Sequence, residues 1–408
     1  MEAVKINDEI KKPLLADLIK SSLYVGATAY GGLAMTAQLK KKFVEEKKWI
    51  SEKDFLDALS FAQILPGATF VTLMAYVGYR INKIIGAFIV PFFFILPTFA
   101  TIVILSYGYF HFAGIPYVVK VFAGLGAMVV ALLINAVSTV GKSVFPKLSF
   151  KYYKGFLIAA FVFVFSFWFK IGMIYLIIAA GVLGFLFYYF TGEFEGLEEH
   201  KQTELNVKKS TSSLSVNLLK YGLLIAIIVA AISILSFFPL LGEIFTSFFK
   251  IGMFSFGGYS SLPLMQHESI NVHHWLSLKE FSDGIAMGQI TPGPILITAA
   301  FIGFKVAGII GAAIATTAIF SPSILLIILL YELHGKITKL PVVKVFVKGI
   351  LAGFIGLLIY ITVSLGVVSL INWQTWVIFV LSAIALIRFK IDPLWIILST
   401  IVLSLIIL

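Results

Sequence analysis

The chain has 408 residues, of which 60% are hydrophobic and 12% are charged, and its mean hydropathy is +1.02. A soluble domain carries roughly twice that charged fraction, so this composition excludes an ordinary soluble protein. The absence of cysteine excludes disulfides, thiol catalysis and thiolate-bound metal. The formal net charge of +11 is better explained by Lys and Arg on the cytoplasmic side of a membrane protein than by a nucleic-acid partner.

Apolar runs follow one another from residue 14 to the C-terminus. Each is about 20 residues long, enough for a helix to cross the roughly 30 Å hydrocarbon core of a lipid bilayer. The runs are continuous, whereas the strands of a membrane barrel alternate between apolar and polar residues. The charged N-terminus lacks a cleavable signal pattern, so we expect the first segment to be retained. The sequence therefore predicts an all-α, multi-pass protein of the cell membrane, in contact with lipid.

The chain contains an internal duplication. A shift of 226 residues aligns residues 26–67 with 252–293, and 12 of these 42 positions are identical. The identities include Gly-Gly, Trp, Gln and Pro-Gly at constant spacing, which chance similarity between apolar helices does not produce. A stretch rich in Glu, Lys and Ser at 191–215 is typical of a solvated linker. We predict a first repeat at 1–190, a linker with a linking helix at 191–240, and a second repeat at 241–408.

Each repeat is predicted to contain the same six segments, A to F. The ranges are 14–37, 54–79, 84–110, 115–140, 155–169 and 171–190 in the first repeat, and 243–265, 280–304, 307–331, 341–367, 373–387 and 391–408 in the second. Segments A and B are interrupted by residues that break helices. The breaks are Gly31-Gly32 and Pro66-Gly67 in the first repeat, and Gly257-Gly258 and Pro292-Gly293-Pro294 in the second.

The loop charges predict how segments A and B lie in the membrane. If both segments are hairpins that enter and leave by one face, all loop Lys and Arg except Lys170, Lys279 and Lys305 fall on one side. Spanning segments would divide these charges more evenly, so the positive-inside rule favours the hairpins. Five crossings then separate the two A segments, and this odd number inverts the second repeat. Inverted repeats with broken helices at their interface are typical of secondary transporters.

The motifs in both halves resemble those of the chromate ion transporter family. They are AYGGLAMTAQ, FVEEKKWISEKDFLDALSFAQILPGA and YVGYRINKIIGAF in the first half, and FSFGGYSSLP, HHWLSLKEFSDGIAMGQITPGP and FIGFKVAGIIGA in the second. The likeness covers nearly the whole chain and is to the long, two-domain form of the family. It implies an anion carrier, with chromate efflux as the activity most often associated with the family. The first half departs from the pattern, with Ala68 where the second half has Pro294.

A tetrahedral dianion that leaves water needs several N–H donors and positive charge in exchange. The N-terminus of a half-helix after a break presents both. We therefore predict a site between the repeats, formed by Gly31, Gly32, Gln63, Pro66, Gly67, Gly257, Gly258, Gln289, Pro292, Gly293 and Pro294. The alternatives are that the Pro-Gly breaks are packing kinks, that the glutamines form interhelix hydrogen bonds, and that the Gly-Gly pairs permit close helix packing.

Charged residues at matching positions of the repeats form a second group of candidates. Arg80 and Lys305, like Lys120 and Lys344, would attract the anion, or would extend to the lipid headgroups. Asp57 and Asp283 would carry protons for coupling. Alternatively, these two carboxylates stabilise the N-terminus of a helix.

The remaining question is the class of function. The chain has no phosphate-binding Gly-Lys-Ser/Thr loop, no nucleophile constellation and no His-rich metal motif, so we expect neither an enzyme nor a resident cofactor. The main hypothesis is a secondary transporter of a small divalent oxyanion such as chromate or sulfate, and the alternative is an anion channel. The sequence leaves open the substrate, the direction, the coupling ion and whether the chain forms a homo-oligomer.

Overall fold

The computed structural model describes residues 13–112, 114–145, 152–169, 171–189, 237–337 and 340–408. The predicted linker at 191–215 and most of the linking helix lie outside these residues, as does Lys170. The described residues are helical almost throughout, which confirms the predicted all-α class. The helices of the first repeat are α1 (Leu15–Thr28), α2 (Gly32–Lys40), α3 (Glu52–Ile64), α4 (Thr69–Phe112), α5 (Pro116–Val144), α6 (Tyr153–Trp168) and α7 (Met173–Tyr189). Those of the second are α8 (Pro239–Phe254), α9 (Ser261–Gln266), α10 (Leu278–Ile290), α11 (Thr298–Leu330), α12 (Pro341–Ser369), α13 (Trp373–Ile387) and α14 (Pro393–Ile407).

Helix α4 reverses its direction at Asn82 and Lys83, where the backbone leaves the helical region. A Cβ atom on Gly78 would overlap the carbonyl of Gly86, so these two residues are in contact. In a straight helix, residues eight positions apart are about 12 Å apart. Residues 69–81 and 84–112 are therefore two antiparallel arms. Helix α11 reverses in the same way at Ala307-Gly308, where Gly303 contacts Gly311.

Both B segments turn back at their Pro-Gly breaks. In the first repeat, Asp54 at the start of α3 lies 3.7 Å from Arg80 at the end of the first arm of α4. A continuous helix would separate these residues by about 39 Å. In the second repeat, the matching pair Glu280 and Lys305 is 2.8 Å apart. Each B segment is therefore a hairpin with an ion pair at its open end, as the loop charges predicted.

Both A segments are hairpins as well. In the first repeat, the ammonium group of Lys42, which follows α2, lies 4.6 Å from the centre of the Tyr24 ring on α1. In the second, Lys250 on α8 forms an ion pair of 3.0 Å with Glu268, which follows α9. These four residues occupy matching positions, so the two repeats close their A hairpins by different interactions at the same place.

The two B hairpins open toward opposite faces of the protein. The second arm of α4 starts beside the open end of the first hairpin, and its 29 residues reach about 43 Å. At its far end, the hydroxyl of Tyr109 is 2.8 Å from Asp283, at the open end of the second hairpin. Conversely, Tyr331 at the end of α11 packs on Tyr76 and Tyr79 of the first hairpin, with ring centres 4.8 and 4.4 Å apart. This arrangement confirms the predicted inversion of the repeats.

The segments outside the A and B hairpins are apolar helices of two lengths. Among the described residues, the stretches long and apolar enough to cross a membrane are Thr69–Phe112, Pro116–Lys142, Ile295–Leu333 and Pro341–Ser369. The first and third of these include the short returning arm of a B hairpin. Segments E and F form the shorter apolar helices, as predicted: Tyr153–Trp168, Met173–Phe187, Trp373–Ile387 and Pro393–Ile407. The chain is therefore a multi-pass membrane protein.

The inverted arrangement predicts opposite labelling of two matching loops. Glu45 and Asn271 are exposed, lie 226 positions apart, and follow the A hairpins of the two repeats. We expect Glu45→Cys to react with a membrane-impermeant thiol reagent only from the cytoplasmic side, and Asn271→Cys only from the other side. Because the chain has no cysteine, each variant carries one reactive thiol. Labelling of both positions from the same side would contradict the inversion.

Candidate functional site

The tips of the four hairpins, which are the turns at the Gly-Gly and Pro-Gly breaks, lie together. Their backbone hydrogen bonds join a tip of one repeat to a tip of the other. The break of the first B segment pairs with the break of the second A segment. The Gly67 N–H donates to the Ser255 carbonyl at 2.6 Å, and the Gly257 N–H donates to the Gly67 carbonyl at 3.3 Å. Together with Phe256, these residues form a short parallel bridge.

The reciprocal contact joins the second B segment to the first A segment. There the Gly293 N–H donates to the Ala29 carbonyl at 2.8 Å. Gly293 matches Gly67, and Ala29 matches Ser255, under the same shift of 226 residues. The two contacts are therefore related by the pseudo-symmetry of the repeats. They satisfy backbone groups that the helix breaks would otherwise leave unpaired in the membrane interior.

The glycines at the tips are required by the backbone. Gly67 and Gly293 have φ of +119° and +99°, and Gly31 and Gly257 have φ of +65° and +94°. Residues with a Cβ rarely adopt such angles. Space is also limited, since a Cβ on Gly258 would lie 2.7 Å from the Ile295 side chain. The predicted Gly-Gly pairs thus form hairpin tips, and Gly32 begins helix α2 directly after the first.

The two half-helices that follow the Pro-Gly breaks begin close together. A Cβ on Gly257 would lie 3.7 Å from the Thr69 hydroxyl, and the adjacent Gly258 contacts Ile295. Thr69 and Ile295 are matching residues: α4 begins at Thr69, and a 3₁₀ turn at Ile295–Ile297 leads into α11. The first N–H groups of a helix have no partner within it, and they carry the positive end of its dipole. Two such ends therefore lie near one tip, between the repeats.

The prolines shape the breaks in two ways: they end the preceding helix, and they lack a backbone N–H that could donate a hydrogen bond. Pro66 is half-buried, whereas Pro292 and Pro294 are buried. Proline cannot continue the preceding helix, so α3 and α10 end just before these residues. Pro294 also has no N–H to donate, unlike its counterpart Ala68.

The two predicted glutamines have different surroundings. The Gln289 amide donates to the hydroxyl of Tyr259 at 3.3 Å. This is an interhelix hydrogen bond, the alternative to a direct contact with the anion. Gln63 is exposed, and the position that matches Tyr259 is Leu33. Only Gln289 is therefore held among the residues that surround the tips.

The predicted basic residues lie away from the tips. Arg80 and Lys305 pair with Asp54 and Glu280 at the open ends of the B hairpins, about 18–20 Å along the helix axis from the breaks. Lys120 is half-buried near the start of α5, and Lys344 is exposed near the start of α12. The structure places these four cations near the ends of helices.

The matching carboxylates Asp57 and Asp283 differ in burial. Asp57 is exposed, whereas Asp283 is only 1% exposed. Asp283 accepts hydrogen bonds from Tyr109 at 2.8 Å and from Lys279 at 3.2 Å. It borders a cavity of about 70 Å³ that is also lined by Lys279, Ser282, Ser369, Asn372 and Thr375. The hydroxyl of Ser282 is buried there without a hydrogen-bond partner.

Sequence reasoning missed two hydroxyl residues, Thr98 and Ser323. Each follows an intrahelical proline, and a Cβ on the tip glycine of the adjacent B break would overlap its hydroxyl oxygen. Thr98 faces Gly293, and Ser323 faces Gly67. The repeat alignment, which pairs Pro97 with Pro322, contained the signal for them. It gave no reason to place C-segment residues beside the B tips of the opposite repeat.

Comparisons with known proteins agree with this architecture. The family model described as "Chromate transporter" matches residues 16–185 and 242–405. A Methanocaldococcus jannaschii protein described as an uncharacterized transporter is 31% identical over 100% of this chain and 99% of its own. A chromate transport protein of Cupriavidus metallidurans is 31% identical over 92% and 88%. A probable chromate transport protein of Synechococcus elongatus is 30% identical over 91% and 89%. No solved structure matches the chain significantly.

We expect alanine at either tip glycine to destabilise the protein. In Gly67→Ala or Gly293→Ala, the new methyl group would collide with the hydroxyl of Ser323 or Thr98 and would strain the positive φ. Such strain lowers the free energy of unfolding by roughly 1–3 kcal/mol. Thermal unfolding of the purified variants measures the change. Gly108→Ala is the matched control, since nothing lies within 4 Å of its added Cβ. Wild-type melting of Gly67→Ala would contradict this account of the tips.

Proposed function

We propose that this chain, which belongs to the chromate transporter family, is a secondary transporter of a small divalent oxyanion across the cell membrane. The relatives named above support chromate as the representative substrate. Sulfate has the same charge and tetrahedral shape, so donors arranged for one ion would also suit the other. We propose efflux from the cell as the direction for chromate.

The observation that carries the proposal is the meeting of four hairpin tips between inverted repeats. Two half-helix N-termini begin there, at Thr69 and Ile295, and their dipoles favour an anion. We propose that the anion binds beside the breaks Pro66-Gly67 and Pro292-Gly293-Pro294, with Gly31-Gly32 and Gly257-Gly258 closing the site. Backbone donors suit this task because they are held in position before the ion arrives and need no reorganisation.

Two matching hydroxyl groups in the half-helices are already engaged with the backbone. The side chains of Thr72 and Thr298 donate to the carbonyls of Ala68 and Ile295, at 3.1 and 2.9 Å. Their hydrogens are therefore committed within the first helical turn. The proposed site thus depends mainly on backbone N–H groups, with Gln289 as the glutamine that lies beside the second break.

The cations at the hairpin ends have a different proposed role. Arg80 and Lys305 keep the B hairpins closed through their ion pairs, and Lys120 and Lys344 lie at helix ends. The charges of Arg80 and Lys305 are offset by Asp54 and Glu280, whereas Lys120 and Lys344 raise the local concentration of a dianion near the helix ends. We propose that Lys120 and Lys344 guide the anion, while the tips bind it.

We propose Asp283, and not Asp57, as a proton-coupling residue. Asp283 is buried and held by Lys279 and Tyr109, and Glu280 is the other acidic group beside it. Protonation of Asp283 would weaken its ion pair and release the Lys279 ammonium toward the adjacent cavity. At this face, which the loop charges predict to lie outside the cell, the freed ammonium would draw the anion outward as the proton binds, so that proton and anion would move in opposite directions. Asp57 is exposed, so its protonation would change no buried contact.

A counterflow experiment distinguishes a carrier from an anion channel with the same duplicated architecture. We expect proteoliposomes loaded with unlabelled chromate or sulfate to accumulate the labelled ion transiently and with saturation, because a carrier exchanges ions through one alternating site. Empty liposomes are the control. Single-channel currents without counterflow would overturn the carrier and favour an anion channel.

We expect Asp283→Asn to remove the response of transport to a pH gradient while leaving oxyanion exchange intact. The amide keeps the size of the side chain but cannot gain or lose a proton. The measurement is labelled chromate uptake into proteoliposomes with and without an imposed pH gradient. Asp57→Asn, at the matching exposed position, should behave as wild type. If Asp283→Asn still responds to the gradient, the coupling proton binds elsewhere.

A further inference from the structure

The pseudo-symmetry of the repeats fails at one pair of hydroxyl residues. Ser323 and Thr98 occupy matching places, each one residue after an intrahelical proline and each against a tip glycine. Ser323 accepts a hydrogen bond from the Ala68 N–H at 2.9 Å, directly after the first break. The residue that matches Ala68 is Pro294, which has no N–H. The counterpart of this hydrogen bond therefore cannot form at the second break.

Thr98 is consequently buried without a partner. The residue is 0% exposed, and its hydroxyl oxygen has no hydrogen-bond partner in the structure. Many hydroxyls in the apolar helices donate to the carbonyl one turn earlier, as Ser106 does to Ile102 and Thr316 to Ala312, both at 2.7 Å. Thr98 does not make this bond. Buried polar groups are almost always paired, so an unpaired hydroxyl against a helix break needs a reason.

We infer that Thr98 is a ligand of the transported oxyanion and that the anion binds to the second break rather than equally to both. The inference rests on the proposed function. The Thr98 hydroxyl would donate to an oxygen of a tetrahedral dianion beside the first N–H groups of the Ile295–Ile297 turn, which leads into α11. At the first break, the Ser323 oxygen is held by the Ala68 N–H. At the Pro-Gly-Pro break no backbone N–H holds the Thr98 hydroxyl, which has no partner in the protein.

The inference predicts opposite effects of one substitution on binding and on stability. Thr98→Val keeps the shape of the side chain and removes the hydroxyl. Losing a hydrogen bond to a charged ligand should weaken chromate binding roughly 10- to 150-fold. The ligand-free variant should melt at or above the wild-type temperature, because an unpaired buried hydroxyl is removed. Calorimetric titration of purified protein with chromate, and separately with sulfate, measures the affinity.

Two variants serve as controls. Thr98→Ser retains a hydroxyl and should bind chromate close to the wild-type affinity. Ser323→Ala removes the acceptor of the Ala68 N–H, so it should lower the melting temperature while binding chromate as wild type does. A purely structural role for both residues would instead produce similar effects at the two positions.

Each contrary outcome has a distinct meaning. Wild-type affinity in Thr98→Val, with the wild type binding chromate, would remove Thr98 from the site and leave the proposed function standing. A lower melting temperature of ligand-free Thr98→Val would show that its hydroxyl is paired in the folded protein, and would also overturn the inference. If the wild type binds neither chromate nor sulfate, the proposed function itself fails.

Discussion

The structure depends on one constraint, which is that a broken helix inside a membrane must find partners for its exposed backbone groups. Here each break finds its partner in the opposite repeat. Gly67 bonds to Ser255 and Gly257, and Gly293 bonds to Ala29. Neither repeat can complete its own B tip, so the repeats form one unit. The same pairing places two half-helix N-termini between them, where their remaining N–H groups are available to an anion.

The pairing of each break with the opposite repeat also limits how the two repeats could move in the proposed transport cycle. The B hairpins open toward opposite faces, and each is closed at its open end by an ion pair. Each open end also contacts the far end of a long arm from the other repeat, through Tyr109 or Tyr331. Rocking of one repeat against the other would change the contacts at the two faces in opposite senses. The tips lie between the faces, which is the position required of a site that is exposed alternately.

The two repeats share a backbone geometry but differ in the burial and hydrogen bonding of matching polar side chains. Backbone geometry is repeated closely, as the positive φ angles of Gly67 and Gly293 show. The surroundings of several polar side chains are not repeated. Asp283 is buried while Asp57 is exposed, and Ser323 has a backbone donor while Thr98 has none. The duplicated backbone is therefore shared by both repeats, whereas the proposed substrate contact at Thr98 and the proposed coupling group Asp283 each rest on a feature that only one repeat has.

Hydropathy, helix breakers and loop charges predicted the class, the duplication, the positions of the breaks, the hairpins and their inversion. These features can be read from the sequence because they act locally along the chain. The pairing of the tips, the closure of hairpins by Arg80 and Lys305, and the different burial of Asp57 and Asp283 come from the tertiary structure. It alone brought Thr98 against Gly293, nearly 200 residues away. Such contacts arise from packing between helices that are distant in sequence, and no local pattern encodes them.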